Sequence, residues 1–255
     1  MKRVPKAVLA AVAICLLTGA AAAYALTGEF KNTVVSATAT MMPRELPAHG
    51  GAPIELSSIT RIKNKDGSQP GTLSSIVFQL DKHGFVDTKG LPVCTMAKLA
   101  ETKPAEARKR CAGALVGTGL GKAKVTLPGQ ATVDVSSPLS FFNGPKVGGK
   151  PTLIAHAYET IPAPKTLLVP IVIEKVAKGR YGFEAKVTLP PIAEGYGSAT
   201  LAEATLGRTF ERGGKEVGYL NAYCSGGRLQ VHGSLSFSNG DFFPATLTSP
   251  CHLPR

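Results

Sequence analysis

The sequence holds no tryptophan and few other aromatic residues, 6% in all over 255 residues. Its interior must therefore be filled from Val, Leu, Ile, Ala and Phe. A sugar-stacking platform would have to be assembled from Tyr158, Tyr181, Tyr196, Tyr219 and Tyr223. Acidic residues are also scarce, 17 Asp and Glu against 29 Lys and Arg. No basic run has aromatics interleaved with it, so nothing supports specific nucleic-acid recognition. Long apolar runs are missing as well: the stretch Ala7 to Leu17 is too short to span a bilayer comfortably.

What is present begins with export signals. Lys2, Arg3 and Lys6 precede that apolar stretch, and an alanine-rich segment ends in Ala23-Tyr24-Ala25, a small-x-small cleavage pattern. The sequence predicts a signal peptide over residues 1–25, cut after Ala25. An uncleaved anchor is the competing reading. A lipoprotein is disfavoured because Ile14 stands before Cys15, where lipid modification needs a small residue. Cleavage removes three basic and no acidic residues, leaving 26 against 17 and a formal charge of +9. Such a chain is drawn to anionic envelope polymers, glycans or headgroups, diffusely and subject to salt. No stable membrane span is expected after cleavage.

Four cysteines then remain, Cys94, Cys111, Cys224 and Cys251. An even count in an oxidising compartment favours two disulfides. Three connectivities are possible, and Cys94 with Cys111 and Cys224 with Cys251 closes the shortest loops. A metal site is the alternative, but the spacings are wide and the adjacent Cys251-His252 pair has poor geometry for zinc. No cofactor motif is found.

Period-two alternation dominates the rest. Ala123, Val125 and Leu127 alternate with Lys122, Lys124 and Thr126, and Ala131, Val133 and Val135 follow a turn at Pro128-Gly129-Gln130. Antiparallel pairing about Gly129 sets Val125 opposite Val133, Thr126 opposite Thr132 and Lys124 opposite Asp134. A shift by one residue would carry Asp134 into the core. Tyr181 to Leu189 reads as a half-buried strand. Leu229 to Phe237 and Phe243 to Leu247 form a second hairpin about Ser238-Asn239-Gly240-Asp241. Leu167 to Ile173 fits a central strand, although Pro170 demotes it to an edge or a bulge. Weaker candidates are Thr33–Met41, Pro53–Ile62, Leu73–Leu80 and Thr152–Tyr158.

One segment reads as helical: Thr95 to Arg110, opened by Pro104 and supported by Glu106 and Arg110 one turn apart. The expected fold is thus mainly β, an antiparallel β-sandwich, one large or two smaller, with one short helix between Cys94 and Cys111. Glycine and proline cluster over Ser137–Pro151, which suggests β-rich regions at 26–145 and 146–255 that could also be one domain.

No enzymatic motif stands complete in the sequence. Val116-Gly117-Thr118-Gly119-Leu120-Gly121-Lys122 resembles a phosphate loop, but Val116 and Ala123 stand where a Walker motif needs Gly and Ser or Thr. Its glycines fit a glycine-rich strand better. No Gly-x-Ser-x-Gly or Ser-x-x-Lys occurs, so a serine triad would have to draw on Ser225, His156 and Asp241. The five histidines, His49, His83, His156, His232 and His252, are scattered; only His156 falls where a buried core histidine is expected, and His232 should face solvent. Dispersed carboxylates could still converge as a glycosidase pair.

The order Glu45-Leu46-Pro47-Ala48-His49-Gly50, Gly90-Leu91-Pro92-Val93-Cys94, Cys111 and Phe142-Asn143-Gly144 resembles uncharacterised secreted β-rich proteins of high-GC actinobacteria. That resemblance implies an extracytoplasmic β-rich protein and no particular chemistry. The sequence leads to a non-catalytic secreted or cell-envelope protein with a binding or structural role. The alternative is an exported hydrolase acting on glycan or ester bonds.

Overall fold

The computed structural model describes residues 24–255. All but the last two residues of the expected signal peptide, Cys15 included, lie outside the described residues. In chain order the strands are β1 Tyr24–Phe30, β2 Thr33–Met42, β3 Ala52–Pro53, β4 Glu55–Asn64, β5 Leu73–Asp81 and β6 Gly84–Val86. Helices α1 Met96–Leu99 and α2 Pro104–Arg110 follow, then β7 Leu115–Val125, β8 Val133–Val147, β9 Lys150–Glu159, β10 Lys165–Lys178 and β11 Tyr181–Thr188. The chain ends with β12 Gly197–Leu206, β13 Thr209–Arg212, β14 Lys215–Gly218, β15 Leu220–Ala222, β16 Arg228–Phe237 and β17 Phe242–Pro250.

Twelve of these strands form one antiparallel sheet in the order β1-β2-β4-β12-β7-β8-β9-β10-β11-β5-β16-β17. Its local registers are those that alternation demands. Lys124 pairs with Asp134 and Val125 with Val133, and the Thr126 and Thr132 hydroxyls meet at 2.8 Å. Gly233 pairs with Ala245 in the β16–β17 hairpin. The sheet curls until its edge strands β1 and β17 lie side by side, with Phe30 and Phe243 in ring contact. The molecule is therefore a nearly closed barrel, and not the sandwich expected. Alternation gives each strand one apolar face, but that face can meet a second sheet or the far wall of its own sheet equally well.

Both expected regions feed this sheet: β4 pairs with β12, and β5 lies between β11 and β16. Pro170 lies inside the sheet, on β10. There it pairs with Ile154 of β9, whereas the ladder to β11 begins only at Ile173. The staggered strands leave β10 with a single ladder at the proline, so a missing donor is tolerated.

The helical segment is two short helices where one was expected. α1 ends at its C-cap, Ala100, where ψ is 139°, Glu101 takes φ 57°, and Pro104 keeps Lys103 extended at φ −74°, ψ 160° ahead of α2. The pair is clipped by Cys94–Cys111, while Cys224–Cys251 joins the β15–β16 loop to the C-terminal segment. No helix among the described residues is long and apolar enough to cross a membrane.

Strand directions define two ends. At the plug end a small sheet, β3-β15-β6, and the hairpin β13-β14 connect the barrel strands. Buried Leu46, Ile54, Tyr219, Leu220, Ala222 and the Cys224–Cys251 bridge fill that end. At the loop end the connections β4–β5 (residues 65–72) and β11–β12 (residues 189–196) join strands that are far apart in the sheet. Val35, Ile62, Leu73, Phe237 and Phe243 form a smaller buried cluster there.

Candidate ligand cavity

Between the plug and the loop end the barrel holds a cavity of about 600 Å³. Its walls are the inward positions of the barrel strands, and they are overwhelmingly apolar. The void has a definite origin in the sequence. On four adjacent strands the register aligns Ala39 with Ser58, Ala204 and Gly119, and Ala37 with Thr60, Ala202 and Gly121. Two consecutive rows of the inner wall thus carry only Ala, Ser, Thr and Gly. The facing strands carry Val169, Ile171, Phe78, Leu80, Phe183 and Val187, and these cannot reach across to fill the space. Phe78 belongs to the lining and keeps 40% of its surface accessible.

The glycine segment that resembled a phosphate loop is part of this wall. Gly117, Gly119 and Gly121 lie within β7 against β12. A Cβ at Gly119 would stand 2.0 Å from the Glu203 carbonyl oxygen. The glycines therefore permit close strand approach and tight curvature, and they offer no anion cradle.

Tyr219 closes the cavity on the plug side. Its side chain is 1% exposed, and its hydroxyl has no hydrogen-bond partner among the described residues. Burial pushes its ionisation well above the ordinary phenol range. It is a polar group placed in an apolar lining without a protein partner, where an unmade hydrogen bond costs free energy.

The candidate triad is dispersed. Asp241 lies at the turn of the β16–β17 hairpin, and Ser225 lies beyond the opposite end of β16. Ten strand residues separate them, about 33 Å at strand rise. His156 is on the outer wall of β9, fully buried beneath the helices. Its Nε2 lies 3.0 Å from the Thr102 carbonyl and 3.1 Å from the Thr102 hydroxyl. Burial holds the imidazole below its ordinary value, so His156 is a neutral core histidine. His232 is on an outward position and meets the Thr246 hydroxyl at 2.8 Å.

The cysteines that sequence reasoning singled out are paired, with Cα separations of 5.7 and 5.8 Å. A further polar cluster lies at the plug end. Asp81 accepts from Arg180 Nε at 2.9 Å, from the Gln230 amide at 3.0 Å and from the His83 amide at 3.1 Å. It ties β5, the β10–β11 turn and β16 together, and this coordination leaves it a structural carboxylate. Among the described residues no group of three His, Cys, Asp or Glu side chains converges as metal ligands.

Sequence reasoning missed the cavity. Its signal is the recurrence of small residues two apart, Ala37/Ala39, Ser58/Thr60, Gly119/Gly121 and Ala202/Ala204. That recurrence gains meaning only once those strands are known to be neighbours. No protein-family model matches the chain, and no curated protein matches it.

Proposed function

We propose that this protein is a non-catalytic carrier that works outside the cytosol and holds a lipid-like, largely aliphatic ligand in its barrel lumen. The observation that carries the reading is the apolar cavity of about 600 Å³, a volume within the range of small-molecule sites. Two aligned rows of small residues keep it open, and native interiors do not ordinarily leave such a volume unfilled. The facing of the strands supports a carrier over a pore. Glu184, Lys186 and Thr188 of β11 alternate outward with Phe183, Ala185 and Val187 inward, the reverse of a membrane barrel with its apolar exterior and polar lumen. Two disulfides suit an oxidising, extracytoplasmic location. The formal charge of +9 on a chain cut after Ala25 would favour anionic envelope polymers or glycans as surroundings. Hydrolysis of glycan or ester bonds is the weaker reading, because the serine-triad candidates are far apart.

The test is binding of cis-parinaric acid, a fluorescent fatty acid, to the full chain and to Ala204→Phe. Saturable binding by the wild type that the variant loses is the expected result. No saturable binding, or equal binding by a folded Ala204→Phe, would overturn the carrier.

A further inference from the structure

Resting on the carrier reading, we infer that the ligand enters and leaves laterally, through the seam between β1 and β17. Both ends of the barrel are crossed by bonded structure. The plug end is packed around Tyr219 and Leu220 and braced by a disulfide. At the loop end the two crossing connections are clasped by one side chain. Gln69 Nε2 donates to the Tyr196 carbonyl and to the Ser198 hydroxyl, both at 3.0 Å, and Gln69 Oε1 accepts from the Thr126 hydroxyl at 2.6 Å. The Ala193 amide adds a bond of 2.8 Å to Glu159.

The wall itself is held by hydrogen-bonded ladders between every pair of neighbours in the sheet order. Parting any of them breaks a series of backbone bonds that the lumen cannot replace. Among the described residues β1 and β17 are the neighbours that adjoin with no ladder at all; the β10–β11 ladder is partial, starting at Ile173, but it still ties those two strands together. Side chains alone close that seam: Phe30 meets Phe243 with ring centroids 6.3 Å apart, and Lys31 stands 4.0 Å from Asp241 at the loop end. Lys31 is 74% exposed and Asp241 only 4%, and at 4.0 Å the two stand at the outer limit of an ion pair. β1 is bonded to β2 alone and is an edge that can fray at low cost.

The seam is also apolar from outside to inside. Leu26, Phe30 and Phe242 are 40%, 41% and 54% exposed, and all three belong to the lining of the cavity. Apolar side chains along a joint that has no ladder give an aliphatic chain a place to slide in with little solvation on the way.

The experiment measures uptake and release of cis-parinaric acid by stopped flow for the full-length wild type, Phe30→Ala, Gln69→Ala and Ala204→Phe. An edge-to-face ring contact is worth roughly 0.5–1.5 kcal/mol. Phe30→Ala should therefore speed uptake and release together by about two- to tenfold, with affinity changing less than the rates. Gln69→Ala should leave both rates at wild-type values. Unchanged rates in Phe30→Ala, or acceleration in Gln69→Ala, would overturn the seam as portal. Absence of saturable wild-type binding would instead overturn the carrier reading itself. Hydrogen exchange supplies a readout that needs no substitution: β1 amides should exchange sooner than those of β9 and β10, and equal protection would also count against the seam.

Discussion

Phe30 and Phe243 meet edge to face across the seam of the barrel, their ring planes at 83°. Phe243 also contacts Phe237 at 5.6 Å between centroids, so it links the N-terminal edge strand to the loop-end core. A double-mutant cycle on Phe30→Ala and Phe243→Ala, read by urea unfolding, should return a coupling of about 0.5–1.5 kcal/mol. Strict additivity would show that the rings do not close the seam.

Gly119 owes its place to close approach by β12. A methyl group there would meet the Glu203 backbone at 2.0 Å, and backbone cannot rotate out of the way as a flexible side chain can. Gly119→Ala should lower stability by about 1–3 kcal/mol through overpacking, measured as a shift in urea midpoint at unchanged slope.

His156 gives the fold a dependence on pH. Its folded-state value is depressed below the ordinary 6.5, first by burial, so the unfolded chain binds more protons between those two values. By linkage, stability is at its fullest above about pH 6.5 and falls as pH drops through that window. The lowered carboxylates, Asp66, Asp87 and Glu184, lose their contributions only in the more acidic carboxylate range. Thermal unfolding midpoints should therefore fall between about pH 7 and pH 5, and His156→Gln should fall less. An identical fall in the variant would assign the effect elsewhere.

Tyr219 carries a buried hydroxyl with no partner. Tyr219→Phe should raise the stability of the ligand-free protein by about 1 kcal/mol, since an unmade buried hydrogen bond is removed with little change in packing. Differential scanning calorimetry of delipidated protein measures this. A lower midpoint would mean that the hydroxyl is satisfied in solution.

The two disulfides differ in what they hold. Cys94 and Cys111 are 17 positions apart and Cys224 and Cys251 27 apart, so removing either should cost about 3 kcal/mol in the chain-entropy account. Replacing Cys94 and Cys111 with Ser should leave fatty-acid binding nearly intact, because the helices pack outside the wall over Phe142 and Ile154. Replacing Cys224 and Cys251 should also weaken binding by loosening the plug. Equal effects on binding would contradict that division of roles.

Much of the architecture is local and was legible. The β7–β8 register about Gly129 and the β16–β17 hairpin follow from period-two alternation and turn chemistry, which act over a few residues; His156 is buried because the helical segment covers the outer wall there. Pro170 marked a local edge, since β10 has one ladder there, but that the edge arises inside the sheet order depends on where β11 begins to pair, a fact of sheet stagger and not of β10. The extended stretch ahead of Pro104 was readable in principle, since proline forbids helix at the residue before it.

The sequence by itself determined which residues face one another across the β7–β8 hairpin, which cysteines close the shortest loops, and that several strands have one apolar side. Tertiary structure decided that β12 enters between β4 and β7, which sets Ser58 opposite Ala204 and Thr60 opposite Ala202. Pairings over such sequence separations are chosen by how the whole sheet buries its apolar face, and local periodicity carries no record of that choice. The small residues make a cavity only because the sheet curls and brings them opposite a wall too distant to fill it.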